Sequence, residues 1–428
     1  MKIAPTLFSP AFALCFGIAS FAAAAPVLRG KTDKDQYAVG EPVVFSFSVE
    51  GEHVPAEGLK MTWRRAGDDG QTENGEAVIK ADAPVEVKAR MDKPGFVKLY
   101  GKLAGPGVKD GARGARWNAA AGVAIEAIRG VDEPADFDAF WEAQKRKLAA
   151  VPLEPVVREA LTNGAPNVKM FRVSIPCAGP RPATGYLVVP ADAKPGSCAA
   201  HVTFNGYGMS GQEAPKWFDA REITFAVNAH GFELGRDSEY YKQFSSEISA
   251  GGVGGGYAFN PEQNQDPETT YFNGMILRDL RALAYVKALP EWNGRALKVS
   301  GGSQGGFQAL LMAGLDPGVT RCEAAAPWLC DMGGKARLGR HGGWQPAFTD
   351  ALNLYDPVHH ARRIPPTCLV DITRAGLGDD TCPASGVAAV YNALRAPGKI
   401  RFVQGSEHQD WGQAPAGTQI FTLSRPAE

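Results

Sequence analysis

The sequence predicts an α/β fold, a mostly parallel sheet flanked by helices, preceded by a small all-β immunoglobulin-like domain. Beyond about residue 130, short apolar strands alternate with helical patterns, which is the order that builds a parallel sheet. Before that point, short strands are separated by Gly, Pro, Asp and Asn turns, a pattern typical of a β-sandwich. The length of 428 residues is too great for one ordinary domain and agrees with two.

Residues 1–25 have the features of a secretory signal peptide. Lys2 gives a positive start, residues 7–21 are mostly apolar, and the alanines at 22–25 offer a small-residue cleavage site. An uncleaved membrane anchor is the alternative, but prolines stand at the start of the apolar run and no basic stop-transfer flank follows it. We therefore expect a secreted or periplasmic protein that has no membrane association after cleavage.

Residues 26–130 form the predicted β-domain. Its clearest strand is 42–49, in which Phe45, Phe47 and Val49 share one face. Further strands are predicted at 61–63, 85–87 and 96–100. No cysteine lies in this region, so the disulfide of antibody domains is not expected. Two roles stay open for the domain, a packing or spacer unit and a carbohydrate-binding module.

The second predicted domain spans residues 131–428 and begins with an amphipathic helix from 136 to about 148. Its predicted strands are 170–175, 185–189, 201–204, 223–228, 297–300, 322–326, 368–372 and 400–403. Its other predicted helices are 213–220, 275–289, 304–315 and 384–394. Ligands of such sheets bind at the carboxyl ends of the strands, so the functional residues are expected there.

A G-x-S-x-G segment at Gly301, Ser303 and Gly305 lies between a predicted strand and a predicted helix. This context is the nucleophile elbow of the α/β-hydrolase fold, in which a sharp turn pushes the serine hydroxyl out of the sheet. The backbone N–H of Gln304 then lies at a helix N-terminus, which favours negative charge. The segment predicts Ser303 as a nucleophile and the Gln304 amide as an oxyanion donor.

An activated serine needs a general base and an acid that orients it, and α/β-hydrolases carry them in the order Ser, acid, His. His408 follows the final predicted strand, and Asp379 and Asp380 follow the strand before it. Spacing alone does not choose between the two aspartates. Of the other histidines, His341, His359 and His360 lie between strands and are predicted to be structural. His201 and His230 precede the nucleophile and fit the order badly.

The second oxyanion donor is expected in the loop after the third strand. That loop is 205–208, where Gly206 permits close backbone approach and the N–H of Tyr207 is the expected donor. An ordinary turn is the alternative. The glycine-rich run at 250–257 lacks the ending and context of a nucleotide-binding fingerprint. It is predicted to be a surface loop at the rim of the site.

Charge and cysteine spacing argue against nucleic-acid and zinc partners. A net charge of −1 without a basic tract argues against a nucleic-acid partner. Signal cleavage would leave six cysteines, which form either disulfides or buried free thiols, and their spacing does not resemble a zinc site. No metal and no organic cofactor are predicted. The six are Cys177, Cys198, Cys322, Cys330, Cys368 and Cys382.

From about residue 132 to 412 the chain resembles the acetyl xylan esterase and cephalosporin C deacetylase family. The resemblance is carried by Phe137-Asp138-Ala139-Phe140-Trp141, Asn205-Gly206-Tyr207, Gly301-Gly302-Ser303-Gln304-Gly305-Gly306, Pro327-Trp328-Leu329-Cys330-Asp331, Gly376-Leu377-Gly378-Asp379 with Cys382-Pro383, Tyr391-Asn392 and Glu407-His408. It implies an α/β-hydrolase that removes acetyl groups from sugars, so the expected partner is an acetylated carbohydrate. It also implies Asp379 rather than Asp380 as the acid, beside Ser303, His408, Tyr207 and Gln304.

The chain departs from the family pattern at three places. Asn205 replaces a histidine, His230-Gly231-Phe232 replaces Arg-Gly-Gln, and Gln409 replaces a glutamate. Because of these changes, the sequence does not predict whether the chain shares the family's sugar specificity. It also does not predict whether the chain forms the family's ring-like homo-oligomer. Two other functions are weighed: a prolyl-oligopeptidase-like peptidase, which needs a propeller larger than the N-terminal region, and a non-catalytic carbohydrate-binding protein.

Overall fold

A computed structural model describes residues 25–51, 54–162 and 165–426. The predicted signal peptide falls outside these ranges except for Ala25. None of the helices in the described ranges combines the length and apolar character that a bilayer crossing requires.

The N-terminal part of the described chain, which we call the β-region (25–130), contains two sheets. The first has the order β1 (Val27–Thr32), β3 (Val43–Glu50) and β6 (Val85–Ala89). The second has the order β2 (Gln36–Tyr37), β8 (Arg116–Val123), β7 (Gly95–Ala104), β4 (Leu59–Gly67) and β5 (Glu73–Ile79). Alternate residues of β3 are buried, as its sequence pattern predicts, and they pack with β4 and β7 in one apolar cluster. The immunoglobulin-like assignment of this region stays a prediction.

The second part of the chain, which we call the hydrolase region (131–426), is built on one ten-stranded sheet. Its strands are β9 (Val157–Leu161), β10 (Val168–Ile175), β11 (Ala183–Pro190), β12 (Cys198–Phe204), β13 (Ile223–Asn228), β14 (Trp292–Gly302), β15 (Arg321–Ala325), β16 (Leu369–Gly376), β17 (Gly398–Val403) and β18 (Ile420–Arg425). Six of them, in the order β13-β12-β14-β15-β16-β17, are parallel, and antiparallel strands extend the sheet at both ends. The mostly parallel sheet that the sequence predicts is therefore present.

The helices of the hydrolase region cover this sheet. They are α1 (Phe137–Ala149), α2 (Ser238–Ile248), α3 (Tyr271–Lys287), α4 (Gln304–Leu315), α5 (Gly334–Leu338), α6 (Asp350–Asn353), α7 (Pro357–Ala361) and α8 (Ala384–Ala393). Almost every residue of α4 is buried, because this helix packs on β14 and β15 and against α3 and α7. Its apolar sequence therefore reflects a central helix rather than a one-sided surface helix.

One predicted helix is wrong. Residues 213–220 form bends and turns without a helix, and Trp217 is 92% exposed there. Pro215 disfavours the helical conformation of Ala214, the residue before it, so the predicted helix could not begin at 213. In the hydrolase region, the sequence analysis missed the helices α2, α5, α6 and α7 and the strands β9 and β18. The longest of these helices, α2, begins after Asp237, whose side chain accepts a hydrogen bond from the N–H of Tyr240.

The β-region and the hydrolase region share apolar packing. Phe96 of β7 and Ala120 of β8 belong to the same buried cluster as the hydrolase sheet. The rings of Phe96 and Phe402 lie 5.7 Å apart, which brings β7 directly against β17. The β-region therefore lies at the sheet end that carries the last two predicted site residues.

Candidate active site

The turn between β14 and α4 has the geometry of a nucleophile elbow. Ser303 has φ 55° and ψ −119°, a positive φ that non-glycine residues rarely adopt. Its N–H donates to the carbonyl of Ala325 at 2.9 Å, and this bond anchors the turn on β15. A Cβ at Gly305 would lie 2.2 Å from the carbonyl oxygen of Phe204, so only glycine fits there. The last glycine of the G-x-S-x-G pattern is therefore required because the backbone of Phe204 leaves no room for a side chain.

The structure brings Ser303, His408 and Asp379 together. His408 Nε2 lies 3.0 Å from Ser303 Oγ, and His408 Nδ1 lies 2.9 Å from Asp379 Oδ2. A carboxylate can only accept, so Nδ1 carries the proton and Nε2 is free to accept one from the serine. The side chain of Asp379 is fully buried, and its other oxygen accepts the N–H groups of Thr381 and Cys382, both at 2.8 Å. Its orientation is therefore fixed by the backbone.

Asp380 points away from His408. Its carboxylate accepts hydrogen bonds from Lys98 at 2.5 Å and Tyr100 at 2.8 Å and lies 3.2 Å from the ring of His341. Burial alone would raise the pKa of Asp380, but the bonds from His341, Lys98 and Tyr100 outweigh burial and hold this pKa well below its usual range. Of the two aspartates that spacing left open, the structure places Asp379 beside the histidine.

The two predicted oxyanion donors lie on either side of the elbow. The N–H of Gln304 is in the first turn of α4, where helix N–H groups have no intrahelical acceptor. The loop that carries Tyr207 approaches the elbow closely: a Cβ added at Gly206 would lie 3.7 Å from the carbonyl oxygen of Gly302. Among the described residues, no acceptor is found for the N–H of Tyr207. Both amides are therefore available to a developing negative charge.

Tyr257 is a site residue that the sequence analysis missed. Its hydroxyl accepts the N–H of Gly208 at 2.9 Å and donates to Oε1 of Gln304 at 2.8 Å. Burial raises the pKa of Tyr257 well above its usual value, so the phenol keeps its proton. The residue thereby ties together the two segments that carry the predicted oxyanion donors. It ends the glycine-rich run that predicted only a rim loop, and no spacing rule points to it.

His230 supports the same loop from the other side. Its Nε2 lies 3.0 Å from the carbonyl oxygen of Gly208, and its Nδ1 lies 2.6 Å from the hydroxyl of Tyr271. The carbonyl can only accept, so Nε2 donates and Nδ1 accepts. Burial lowers the pKa of His230 to about 4, which keeps the ring neutral. This histidine, which the sequence analysis set aside because it precedes the nucleophile, therefore supports the loop that carries Tyr207.

Two partly exposed indole rings flank the site. Trp344 is 44% exposed and contacts Tyr207 edge-on, with 4.7 Å between the ring centroids. Trp411 is 53% exposed and contacts His408 edge-on at 5.4 Å. The site therefore lies between two flat apolar surfaces that solvent can reach.

The structure also shows where the remaining histidines and the six cysteines lie. His359 and His360 are buried in α7, and His201 lies 2.7 Å from the hydroxyl of Ser300 on the sheet. All six cysteines of the described residues are free thiols. The ligand atoms of Asp379, Cys382 and His408 lie within 4.8 Å of one another, a spacing that a metal ion could use. The imidazole and the carboxylate of this group are already hydrogen-bonded to each other.

Comparisons with known proteins agree on one family. Residues 125–342 match the acetyl xylan esterase family. The chain is 28% identical over 371 residues to the acetyl esterase Axe7A of Xylanibacter ruminicola, an alignment that covers 83% of this chain and 80% of the relative.

Solved structures of two acetyl xylan esterases have the same fold as the hydrolase region, the α/β-hydrolase fold. That from Paenibacillus sp. R4 has a TM-score of 0.56 and 24% identity, covering 67% of this chain and 93% of its own. That from Thermoanaerobacterium sp. has a TM-score of 0.53 and 19% identity, covering 68% and 93%.

Proposed function

Because the chain belongs to the acetyl xylan esterase family and is a carboxylic ester hydrolase of the serine hydrolase type, we propose that it deacetylates plant polysaccharide or its oligosaccharides through an acyl-enzyme. The observation that carries the mechanism is the continuous hydrogen-bonded series from Asp379 through His408 to Ser303. No metal ion or organic cofactor takes part in the proposed steps.

In the first half-reaction, Ser303 Oγ attacks the acetyl carbonyl carbon while His408 Nε2 takes the hydroxyl proton. The carbonyl oxygen becomes an oxyanion, which accepts hydrogen bonds from the amides of Tyr207 and Gln304. Each such donor contributes about 2.7–4 kcal/mol to transition-state stabilisation in comparable sites. The intermediate collapses when the imidazolium gives its proton to the sugar oxygen, so the sugar leaves as an alcohol.

In the second half-reaction, water attacks the acetyl-serine and gives its proton to His408 Nε2. The second tetrahedral intermediate uses the same two amides, because the acetyl carbonyl has not moved. The proton returns to Ser303 Oγ as acetic acid leaves, and the acid ionises to acetate in solution. Asp379 stays ionised throughout and stabilises the imidazolium in both steps.

The proposed substrate rests on the named activity of the relative and on the shape of the site. Axe7A is an acetyl esterase, and the family is named for acetyl xylan. The exposed rings of Trp344 and Trp411 offer flat surfaces for the sugar rings on either side of an acetylated unit. The apolar run in residues 1–25 supports secretion or export to the periplasm. We also retain the immunoglobulin-like assignment of the β-region as a proposal.

The direct test is Ser303→Ala, measured as acetate release from p-nitrophenyl acetate and from acetylated xylan. We expect a fall on the order of 10⁴–10⁶ in turnover. Ser246→Ala is the matched control, because that hydroxyl donates to the carbonyl of Lys242 on the surface helix α2 and takes no part in the proposed site. An unchanged rate in Ser303→Ala would remove this serine from the mechanism. A fluorophosphonate probe separates the enzyme from a non-catalytic binding protein, since only an activated serine reacts.

A further inference from the structure

Two strands of the β-region lie against the two loops that carry Asp379 and His408. The loop after β16 holds the aspartate and the loop after β17 holds the histidine. Neither loop has regular secondary structure around these residues, so their positions depend on individual side-chain and backbone contacts. Some of these contacts lie within the hydrolase region: Arg374 of β16 donates to the carbonyl of His408 at 3.0 Å, and the N–H of Gly378 donates to the carbonyl of Ser406 at 3.0 Å. Others come from β7 and β8.

The aspartate loop is held by Lys98 of β7. The lysine is 5% exposed, and its Nζ donates to the backbone carbonyl of Asp379 at 3.1 Å and to the carboxylate of Asp380 at 2.5 Å. Tyr100, two residues along the same strand, donates to the same carboxylate oxygen at 2.8 Å. A buried ammonium that binds both the carbonyl of one residue and the carboxylate of the next fixes the backbone between them.

The histidine loop is held by β8. Arg116 and Asn118 both donate to the carboxylate of Glu407, at 2.9 and 3.1 Å, and Glu407 is the residue before His408. Further back in the loop, the side-chain amide of Gln404 exchanges two hydrogen bonds of 2.9 Å with the backbone of Ala120. Gln404 thus pairs with β8 as a neighbouring strand would, and it is 2% exposed.

We propose that the β-region positions the catalytic acid and base, with Lys98, Tyr100, Arg116 and Asn118 as positioning residues, an inference that rests on the proposed function of Ser303, Asp379 and His408. The physical basis is that a misplacement of about 1 Å in a reacting group can cost roughly a hundredfold in rate. The contacts of Lys98, Tyr100, Arg116 and Asn118 add a restraint from the β-region to those that the hydrolase region itself supplies.

This role makes a different prediction from the two roles that the sequence leaves open. A carbohydrate-binding module would change the rate on polymer and leave the rate on a small ester unchanged. A spacer or packing unit would change stability but not the turnover of the folded enzyme. A positioning role predicts a lower kcat on small and polymeric substrates by the same factor, with little change in KM for the small ester.

The test uses the full chain and the variant Lys98→Met, which keeps the length of the side chain and removes the ammonium. We expect kcat to fall about 10- to 100-fold on both p-nitrophenyl acetate and acetylated xylan, with KM for the small ester within about threefold of the wild type. Lys98→Arg should recover part of the loss. Lys102→Met is the control, because this lysine lies on the same strand and, within the described ranges, its one ion pair is with Asp110 of the β-region.

A second set of variants covers the case in which Lys98→Met does not fold. Tyr100→Phe removes one hydroxyl, and Arg116→Leu changes a side chain that is 52% exposed, so both should fold. Each should lower kcat on the small ester with a Tm close to the wild-type value. Wild-type kcat on that ester in folded Lys98→Met, or in both Tyr100→Phe and Arg116→Leu, overturns the proposal. The Ser303→Ala result is independent of these, so it shows separately whether the proposed function itself has failed.

Discussion

Replacing Asp379 with asparagine removes one charge from the site while keeping its shape, and the structure predicts the result. Oδ1 of Asp379 accepts the N–H groups of Thr381 and Cys382, so the amide oxygen of asparagine must occupy that position. Its NH₂ group then faces His408 Nδ1, which lies 2.9 Å from the present Oδ2. An NH₂ group donates, so Nδ1 must accept and the ring proton moves to Nε2.

A ring with its proton on Nε2 cannot take the proton of Ser303. The same change in a well-studied triad lowers kcat by about 10⁴, which corresponds to about 5.5 kcal/mol of activation free energy. We expect a loss of this size in Asp379→Asn on p-nitrophenyl acetate. The Tm should change little, because the two backbone bonds remain. A kcat within tenfold of the wild type would refute the tautomer argument.

Asp380→Asn is the matched control. The hydrogen bond between Asp379 and His408 remains in this variant, while the buried Lys98 loses its carboxylate. We expect a lower Tm and a loss of activity at least about a hundredfold smaller than that of Asp379→Asn. If the two variants lost activity equally, the contact between Asp379 and His408 would not be sufficient to identify Asp379 as the catalytic acid.

Three further predictions follow from the site. Tyr257→Phe leaves the N–H of Gly208 and Oε1 of Gln304 without their partner, so kcat should fall about tenfold while the Tm drops, and an unchanged kcat would contradict the link between the two segments that carry the predicted oxyanion donors. Gly301→Ala places a Cβ 2.4 Å from the backbone of Gly305, so turnover should be lost with a stability loss of about 1–3 kcal/mol or more; wild-type turnover would contradict the steric role. The pKa of His230 is about 4 in the folded protein and has its usual value of about 6.5 in the unfolded chain. The unfolded chain therefore binds the proton first, and acidification from pH 7 to 5 should lower the free energy of unfolding by about 2 kcal/mol through this residue. In urea unfolding, the free energy of unfolding of His230→Phe should fall less between pH 7 and 5 than that of the wild type.

Much of the hydrolase region could be predicted from the sequence because its signals are local. Glycines at 301 and 305 are required by atoms only a few residues or one strand away, so the elbow appears as a motif. The parallel sheet appears as alternating apolar strands and helices, and the comparisons with solved esterases confirm that fold. The helix predicted at 213–220 is absent, and Pro215 disfavours the helical conformation of the residue before it.

The contacts that support the site could not be predicted in this way, because they join distant segments. Lys98 has the sequence context of an ordinary strand lysine, and only the folded chain brings it to Asp380, 282 positions away. Tyr257 follows a run of glycines with no periodic pattern, so nothing local marks it as a partner of Gln304. The choice between Asp379 and Asp380 depends on the same kind of information, since the two are adjacent in sequence and differ only in which partners they meet.

The pairing of Ala120 with Gln404 spans 284 positions and therefore bears on how the chain is made. At a translation rate of about 5–20 residues per second, the β-region would be synthesised roughly 15–60 seconds before Gln404 is added to the chain. During that interval the faces of β7 and β8 that later contact the hydrolase region have nothing to cover them. The β-region can therefore position the loop that carries His408 only after the segment up to residue 408 has been synthesised.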